Sequence, residues 1–321
     1  MTSMKAEFTE EDYISAIETM IARSEYTKNK QYIEISRISQ DRERELGYDG
    51  VLTAIVPFYL QFKRSTFYTP LFTGKLAVDR NKSFSADKNI GFLAFGLHKD
   101  RHTKQYDQHN AIWNLSKATS AAYVAPLFYK TRDLTSLKSL ASFLPWIYRH
   151  HKISDMISRS DYITHAIRTF RESIVIEPHR EIIDKSPSHH YSYDRAMKNI
   201  AFHSNIEPVQ TPPKHLHEYI TLMIEKAIHL AEENKRDKPN DASTPIIEIL
   251  PDLFNLTWDS RKFKTILQNH LIETDLISNE LPVDIRNFLI KEISIFDRFN
   301  LIETLLKEEL NIIQFAIRIY A

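Results

Sequence analysis

The chain has 321 residues, 42% of them hydrophobic and 11% aromatic, which is enough for one large domain or two smaller ones with a sizeable core. Basic and acidic residues both number 42, giving no reason to expect a general polyanion binder, and the absence of cysteine excludes disulfides, thiolate metal sites and cysteine nucleophiles. A reducing compartment follows as the expectation. The opening segment is acidic and amphipathic, without the basic start and apolar core of a signal peptide, and no apolar run approaches the roughly 18 to 20 residues that span a bilayer. A cytoplasmic location with no membrane contact is expected. Charge is distributed unevenly: residues 1–205 hold 29 Lys and Arg against 23 Asp and Glu, and the remainder 13 against 19. The first part is therefore the better place to seek a nucleic-acid surface.

In chain order, Thr9-Glu10-Glu11-Asp12 reads as a cap, opening a helix to about Arg23 with Tyr13, Ile14, Ile17, Met20 and Ile21 as its apolar stripe. A second helix is expected from about Tyr32 to Leu46, ended by Gly47. Residues 48–56 then read as a strand, interrupted by Pro57, with residues 57–68 returning as the second arm of a hairpin. In that second arm Tyr59, Gln61, Lys63 and Ser65 alternate with Phe58, Leu60 and Phe62, so Gln61 and Lys63 share a face. Further strands are expected at 90–97 and 121–128, and helices at 105–117 and 134–144. Alternation of this kind predicts an α/β fold, a mixed sheet flanked by helices. After a strand at Ser173 and a polar, histidine-rich region, the cluster Thr211-Pro212-Pro213 marks a boundary. The expected division is 1–205 for an α/β domain and 206–321 for a mainly helical region, partner-binding, dimerising or regulatory. The closing residues NIIQFAIRIY fit a strand or a helix end. With only 5 Gly there is no glycine-rich phosphate loop.

The constellation that carries chemistry is Asp49, Gln61 and Lys63, with Glu43 and Glu45 just upstream. Hydrolysis of a phosphodiester at neutral pH uses Mg²⁺ (or Mn²⁺) held by hard oxygen ligands, and Asp49, the Gln61 side-chain carbonyl and a helix carboxylate can supply them. Lys63, on the same strand face, would orient or deprotonate the attacking water and offset phosphate charge.

GYDG followed by a strand and LQFKRS resembles the Asp then (Glu/Gln)-x-Lys signature of the restriction-endonuclease-like, PD-(D/E)xK nuclease superfamily, in its QxK variant. The match covers residues 33–65, and the alternation of elements to residue 128 is compatible with that superfamily's core. The resemblance implies metal-dependent endonuclease cleavage of DNA, as in type IV restriction enzymes and prokaryotic antiphage-defence nucleases. It also implies Asp49 and Gln61 as metal ligands, Lys63 as catalytic lysine, and Glu43 or Glu45, with Glu43 favoured, as the helix acid. A glutamine on the helix after the signature maps to Gln108, with Gln105 nearby. The Pro before Asp49 is absent, and Gln61 removes one negative charge. Many nucleases of this fold act as dimers, so a homodimer is the default expectation.

Arg64, beside the motif, and the basic cluster holding Arg149 and Lys152, next to Trp146 and Tyr148, are candidate nucleic-acid contacts, although the cluster reads more simply as cations at a helix end. His179, His189, His190, His203, His215 and His217 match no metal motif and are read as solvated or phosphate-contacting. Ser65 and Ser116 have no nucleophile-elbow context. The competing reading is a non-catalytic nucleic-acid-binding or interaction protein on a nuclease-like fold.

Overall fold

The structure is a computed structural model that describes residues 2–23, 26–28, 31–37, 52–84, 90–100, 105–136, 172–183, 188–203, 207–209, 211–237, 246–247 and 295–320. Its elements run β1 (Ser3–Lys5), α1 (Glu10–Arg23), β2 (Tyr26–Lys28), β3 (Gln31–Ser36), β4 (Leu52–Phe62), β5 (Thr66–Tyr68), α2 (Lys75–Ser83), β6 (Phe92–Gly96), α3 (Asp107–Ala118) and β7 (Ser120–Pro126). They continue with β8 (Ser173–Ile176), β9 (His190–Tyr193), β10 (Ile200–His203), β11 (Glu207–Pro208), β12 (Lys214–His215), α4 (Leu216–Asp237), β13 (Ile246–Ile247), α5 (Ile295–Leu310) and β14 (Ile313–Tyr320).

Two sheets form. The larger is mixed, ordered β12-β8-β7-β4-β14-β3-β2, with β13 also paired to β4; the smaller is antiparallel, ordered β1-β5-β6-β9-β10-β11. Strand β4 is central because its sequence is apolar on both faces, and every residue from Ala54 to Phe62 is buried. It pairs antiparallel with β14 and parallel with β7, the crossover to β7 containing α3. Phe58, Leu60 and Phe62 pack toward α1 and α4 on one face, whereas Tyr59 joins the core shared by α3, α5 and the smaller sheet on the other. The α/β architecture and the face alternation of β4 follow the sequence expectation. Among the described residues, no helix is long and apolar enough to cross a membrane.

Several expectations need correction. Residues 31–36, expected to begin a helix, form β3: Ile33 and Ile35 are buried while Glu34 between them is half-buried, a period of two. In place of the expected turn at Pro57, residues 52–62 run as one strand, β4, and residues 66–68 form β5 of the other sheet. Pro57 does not break β4 because on one edge it lies opposite Ala316, and on the other it falls between the β13 pairing at Ala54–Ile55 and the β7 pairing that starts at Phe58. A missing N–H is tolerated at such a gap. Across the expected 205/206 division, β14 inserts between β4 and β3, and α4 packs on β4. The C-terminal region is helical in α4 and α5 among the described residues, and its closing segment is a strand.

Helix α1 starts as expected. Thr9 Oγ1 accepts the Asp12 N–H at 3.1 Å, and Asp12 Oδ2 accepts the Thr9 N–H at 2.9 Å, a reciprocal cap. Thr9→Ala is expected to cost about 1 kcal/mol, read as a lowered urea midpoint at unchanged slope. The cap also fixes the position of Glu10.

Candidate active site

Lys63 follows the last residue of β4, and its backbone N–H still donates to the Val124 carbonyl on β7 at 2.8 Å. The sheet therefore aims its side chain. The next strand, β5, belongs to the smaller sheet, so Lys63 stands where the backbone passes from one sheet to the other. Lys63 is only 8% exposed, and burial pushes its ammonium down to about 8 from the usual 10.5, against the opposing attraction of the Glu10 carboxylate. This is no solvent-facing lysine guarding a sheet edge.

Its partners form a compact polar cluster. Lys63 Nζ donates to Gln108 Oε1 at 2.9 Å. Gln108 Nε2 in turn donates to the Leu310 carbonyl, which also accepts from Gln61 Nε2 at 3.1 Å. One backbone oxygen thus orients both amides. With its nitrogen committed, Gln61 presents Oε1, which is buried and has no hydrogen-bond partner among the described residues. The Leu310 carbonyl is available because α5 ends there: Asn311 adopts φ 52°, in the left-handed region that asparagine tolerates, and its N–H closes back on Lys307.

Glu10 completes the cluster from α1. Asn311 Nδ2 donates to its Oε1 at 2.7 Å. Burial raises the Glu10 carboxyl above its ordinary value, with Lys63 opposing. Behind Lys63 Nζ, 5.9 Å from its ring centre, lies Tyr123. His109 Nε2 stands 2.8 Å from the Arg180 carbonyl, which can only accept, so His109 is protonated there and its Nδ1 accepts the Tyr123 hydroxyl at 2.8 Å. Burial holds this imidazole neutral, pushed down to about 3.

The structure thus brings together Gln61, Lys63 and Gln108. Arg64 is exposed beside them, its Nη1 3.5 Å from the Phe8 carbonyl. Asp49, Glu43, Glu45, Arg149 and Lys152 lie outside the described residues. Glu10, Asn311, His109, Tyr123 and the Leu310 carbonyl are the members that sequence reasoning missed; only Glu10 carried a signal, and it read as a capping acid.

The oxygens that could hold a divalent cation here are the Glu10 carboxylate and Gln61 Oε1, hard donors of the kind Mg²⁺ takes, the Leu310 carbonyl being taken by the two amides. Among the described residues there is no group of three or more His, Asp or Glu able to hold a metal. The histidine-rich region is also corrected: His189 and His203 are buried rather than solvated, His189 stacking on Phe202 and His203 Nε2 lying 2.6 Å from Ser192 Oγ. Comparison with family models, with curated proteins and with solved structures finds no match to this chain in any of the three.

Proposed function

We propose that the chain is a metal-dependent endonuclease that hydrolyses phosphodiester bonds, most simply of DNA, at the cluster of Lys63, Gln61, Gln108 and Glu10. The observation that carries the reading is Lys63: a buried ammonium near a carboxylate, held by Gln108 at the end of the central strand, with a proton affinity close to the working pH. Proteins bury such a group at a cost, and a poised proton-transfer group is a recurrent reason. Glu10 and Gln61 would hold the cation, Mg²⁺ or Mn²⁺, which polarises a phosphoryl oxygen and acidifies water. Lys63 takes or holds the proton of the attacking water, and Gln108 keeps Nζ in position. A role in restriction or antiphage defence rests on the resemblance of LQFKRS and GYDG alone.

The test is cleavage of plasmid, linear and single-stranded DNA with Mg²⁺ or Mn²⁺ and with chelator, for wild type, Asp49→Ala and Glu10→Gln. Metal-dependent cutting lost in Glu10→Gln but kept in Asp49→Ala supports the cluster as drawn. Loss in Asp49→Ala alone would return the metal to the motif's first acid. Gln108→Ala is expected to lower the rate by about 10²-fold, because Lys63 loses the acceptor that fixes it. Single-turnover cleavage at saturating metal reads this directly.

A second reading is favoured by the single carboxylate among the described residues at the cluster: a nucleic-acid-binding or interaction protein that keeps the arrangement without turnover. Nucleic-acid binding with no cutting in any divalent metal is the outcome that selects it.

A further inference from the structure

Helix α5 ends on a residue that reaches the Lys63 cluster by two routes. The first is its backbone. Asn311 adopts φ 52°, its N–H closes on the Lys307 carbonyl at 3.0 Å, and the next N–H, from Ile312, closes on the Leu306 carbonyl at 3.0 Å. This left-handed residue turns the chain from α5 into β14 and leaves the Leu310 carbonyl for partners outside the helix. That carbonyl is the oxygen that accepts from both Gln61 Nε2 and Gln108 Nε2. The second route is the side chain. Asn311 Nδ2 donates to Glu10 Oε1 at 2.7 Å, across 301 residues of sequence.

Asparagine suits both tasks. Glycine adopts the left-handed region more readily but carries no side chain, and alanine supplies neither the conformation nor a donor. Aspartate tolerates the turn but sets a second carboxylate against Glu10. A side-chain amide combines a tolerated left-handed backbone with a neutral N–H donor.

Glu10 gains a defined direction from this contact. It is half-buried in the first turn of α1, where burial pushes its carboxyl up and the Lys63 ammonium opposes. The Thr9–Asp12 cap fixes the start of the helix, yet a glutamate side chain has several rotatable bonds beyond its backbone, and the Asn311 amide restricts them.

We infer that Asn311 is a positioning residue of the Lys63 site, holding the Glu10 carboxylate in the direction from which it takes a cation and fixing the carbonyl that orients Gln61 and Gln108. The inference rests on the reading of Glu10 as a ligand for Mg²⁺ or Mn²⁺. A group that hydrogen-bonds a ligating carboxylate sets its orientation, and loss of such a partner lowers metal affinity by about 10–100-fold.

The experiment is calorimetric titration of the full chain with Mn²⁺, without nucleic acid, for wild type, Asn311→Gly, Asn311→Ala, Glu10→Gln and the double variant Glu10→Gln with Asn311→Gly, each with its urea midpoint. Asn311→Gly keeps the left-handed turn and removes the amide, so the expected result is a midpoint near wild type with Mn²⁺ bound about 10–100-fold more weakly. Asn311→Ala loses the same affinity and also lowers the midpoint, because its side chain disfavours the left-handed backbone. In the Glu10→Gln background the glycine substitution changes Mn²⁺ affinity no further, the mark of a residue that acts through Glu10. Glycine fully replaces a residue that only ends a helix, so wild-type Mn²⁺ affinity in Asn311→Gly overturns the inference. An effect of full size in the Glu10→Gln background overturns it too, as does a wild type that takes up no Mn²⁺. Cleavage is scored separately. Absent cutting with this pattern of Mn²⁺ affinities strikes the endonuclease reading and leaves the role of Asn311 in place; cutting by a wild type whose Mn²⁺ affinity ignores Asn311 does the reverse.

Discussion

Replacing Lys63 by alanine or methionine is expected to lower phosphodiester cleavage by about 10²–10⁴-fold, the range a positioned proton-transfer group supplies. The fold should survive. Burying the Lys63 ammonium, whose pKa drops from 10.5 to about 8, costs about 3 kcal/mol at neutral pH, at ~1.4 kcal/mol per unit. The sign follows from linkage: between about 8 and 10.5 the unfolded chain holds the proton more tightly than the folded one, so stability rises with pH across that window, and below 8 the full cost is present. Lys63→Met removes that cost but strips Gln108 Oε1 of its donor, a loss of about 1–3 kcal/mol. The two nearly offset, so a denaturation midpoint close to wild type with cleavage abolished is the expected pair of results. The wild-type rate should climb tenfold per pH unit and level off near 8, where neutral Lys63 becomes the abundant form. Lys63→Arg should lack that rise, since a guanidinium keeps its proton. A rate that instead falls above 8 would make Lys63 a charge-stabilising group, and a profile without an inflection near 8 would remove it from the chemistry.

The second large effect concerns β14. Ile313, Phe315, Ile317 and Ile319 fill the core on one face of the strand, and Phe315 stacks on Phe58 with ring centres 5.4 Å apart. Phe315→Ala is expected to cost about 3–5 kcal/mol, a large share of the ~5–15 kcal/mol that holds a typical domain, measured by urea denaturation. A chain stopped before Ile313 loses the strand that joins β4 to β3 and should show no cooperative unfolding transition. Residues 1–205 alone should behave in the same way. A sharp melt from that fragment would support the two-domain division read from Thr211-Pro212-Pro213.

What the sequence made legible was local. The cap at Thr9, the extent of α1 and of α4, and the two faces of β4 could all be read from spacing, because each depends on residues a few positions apart. Strand β3 was lost because the alternation in QYIEIS is short and runs into residues of good helical propensity. Pro57 was misread because its tolerance depends on which strands flank β4, and those come from positions 120 and 246 onward. At the site, Gln61 and Lys63 announced themselves by placing polar groups on an apolar strand, and Gln108 followed from the resemblance. Glu10 and Asn311 approach from positions 53 residues before and 248 after Lys63, and the Leu310 contribution is a backbone oxygen, which no residue type advertises.

The position of β14 also sets an order of events during synthesis. Strands β3 and β4 are made early, yet the strand that lies between them is translated some 250 residues later. Until then the facing edges of β3 and β4 offer unpaired backbone groups and apolar side chains to any other chain nearby. Contacts of such long sequence separation make folding slow, and they make a growing polypeptide dependent on whatever shields those edges while it waits.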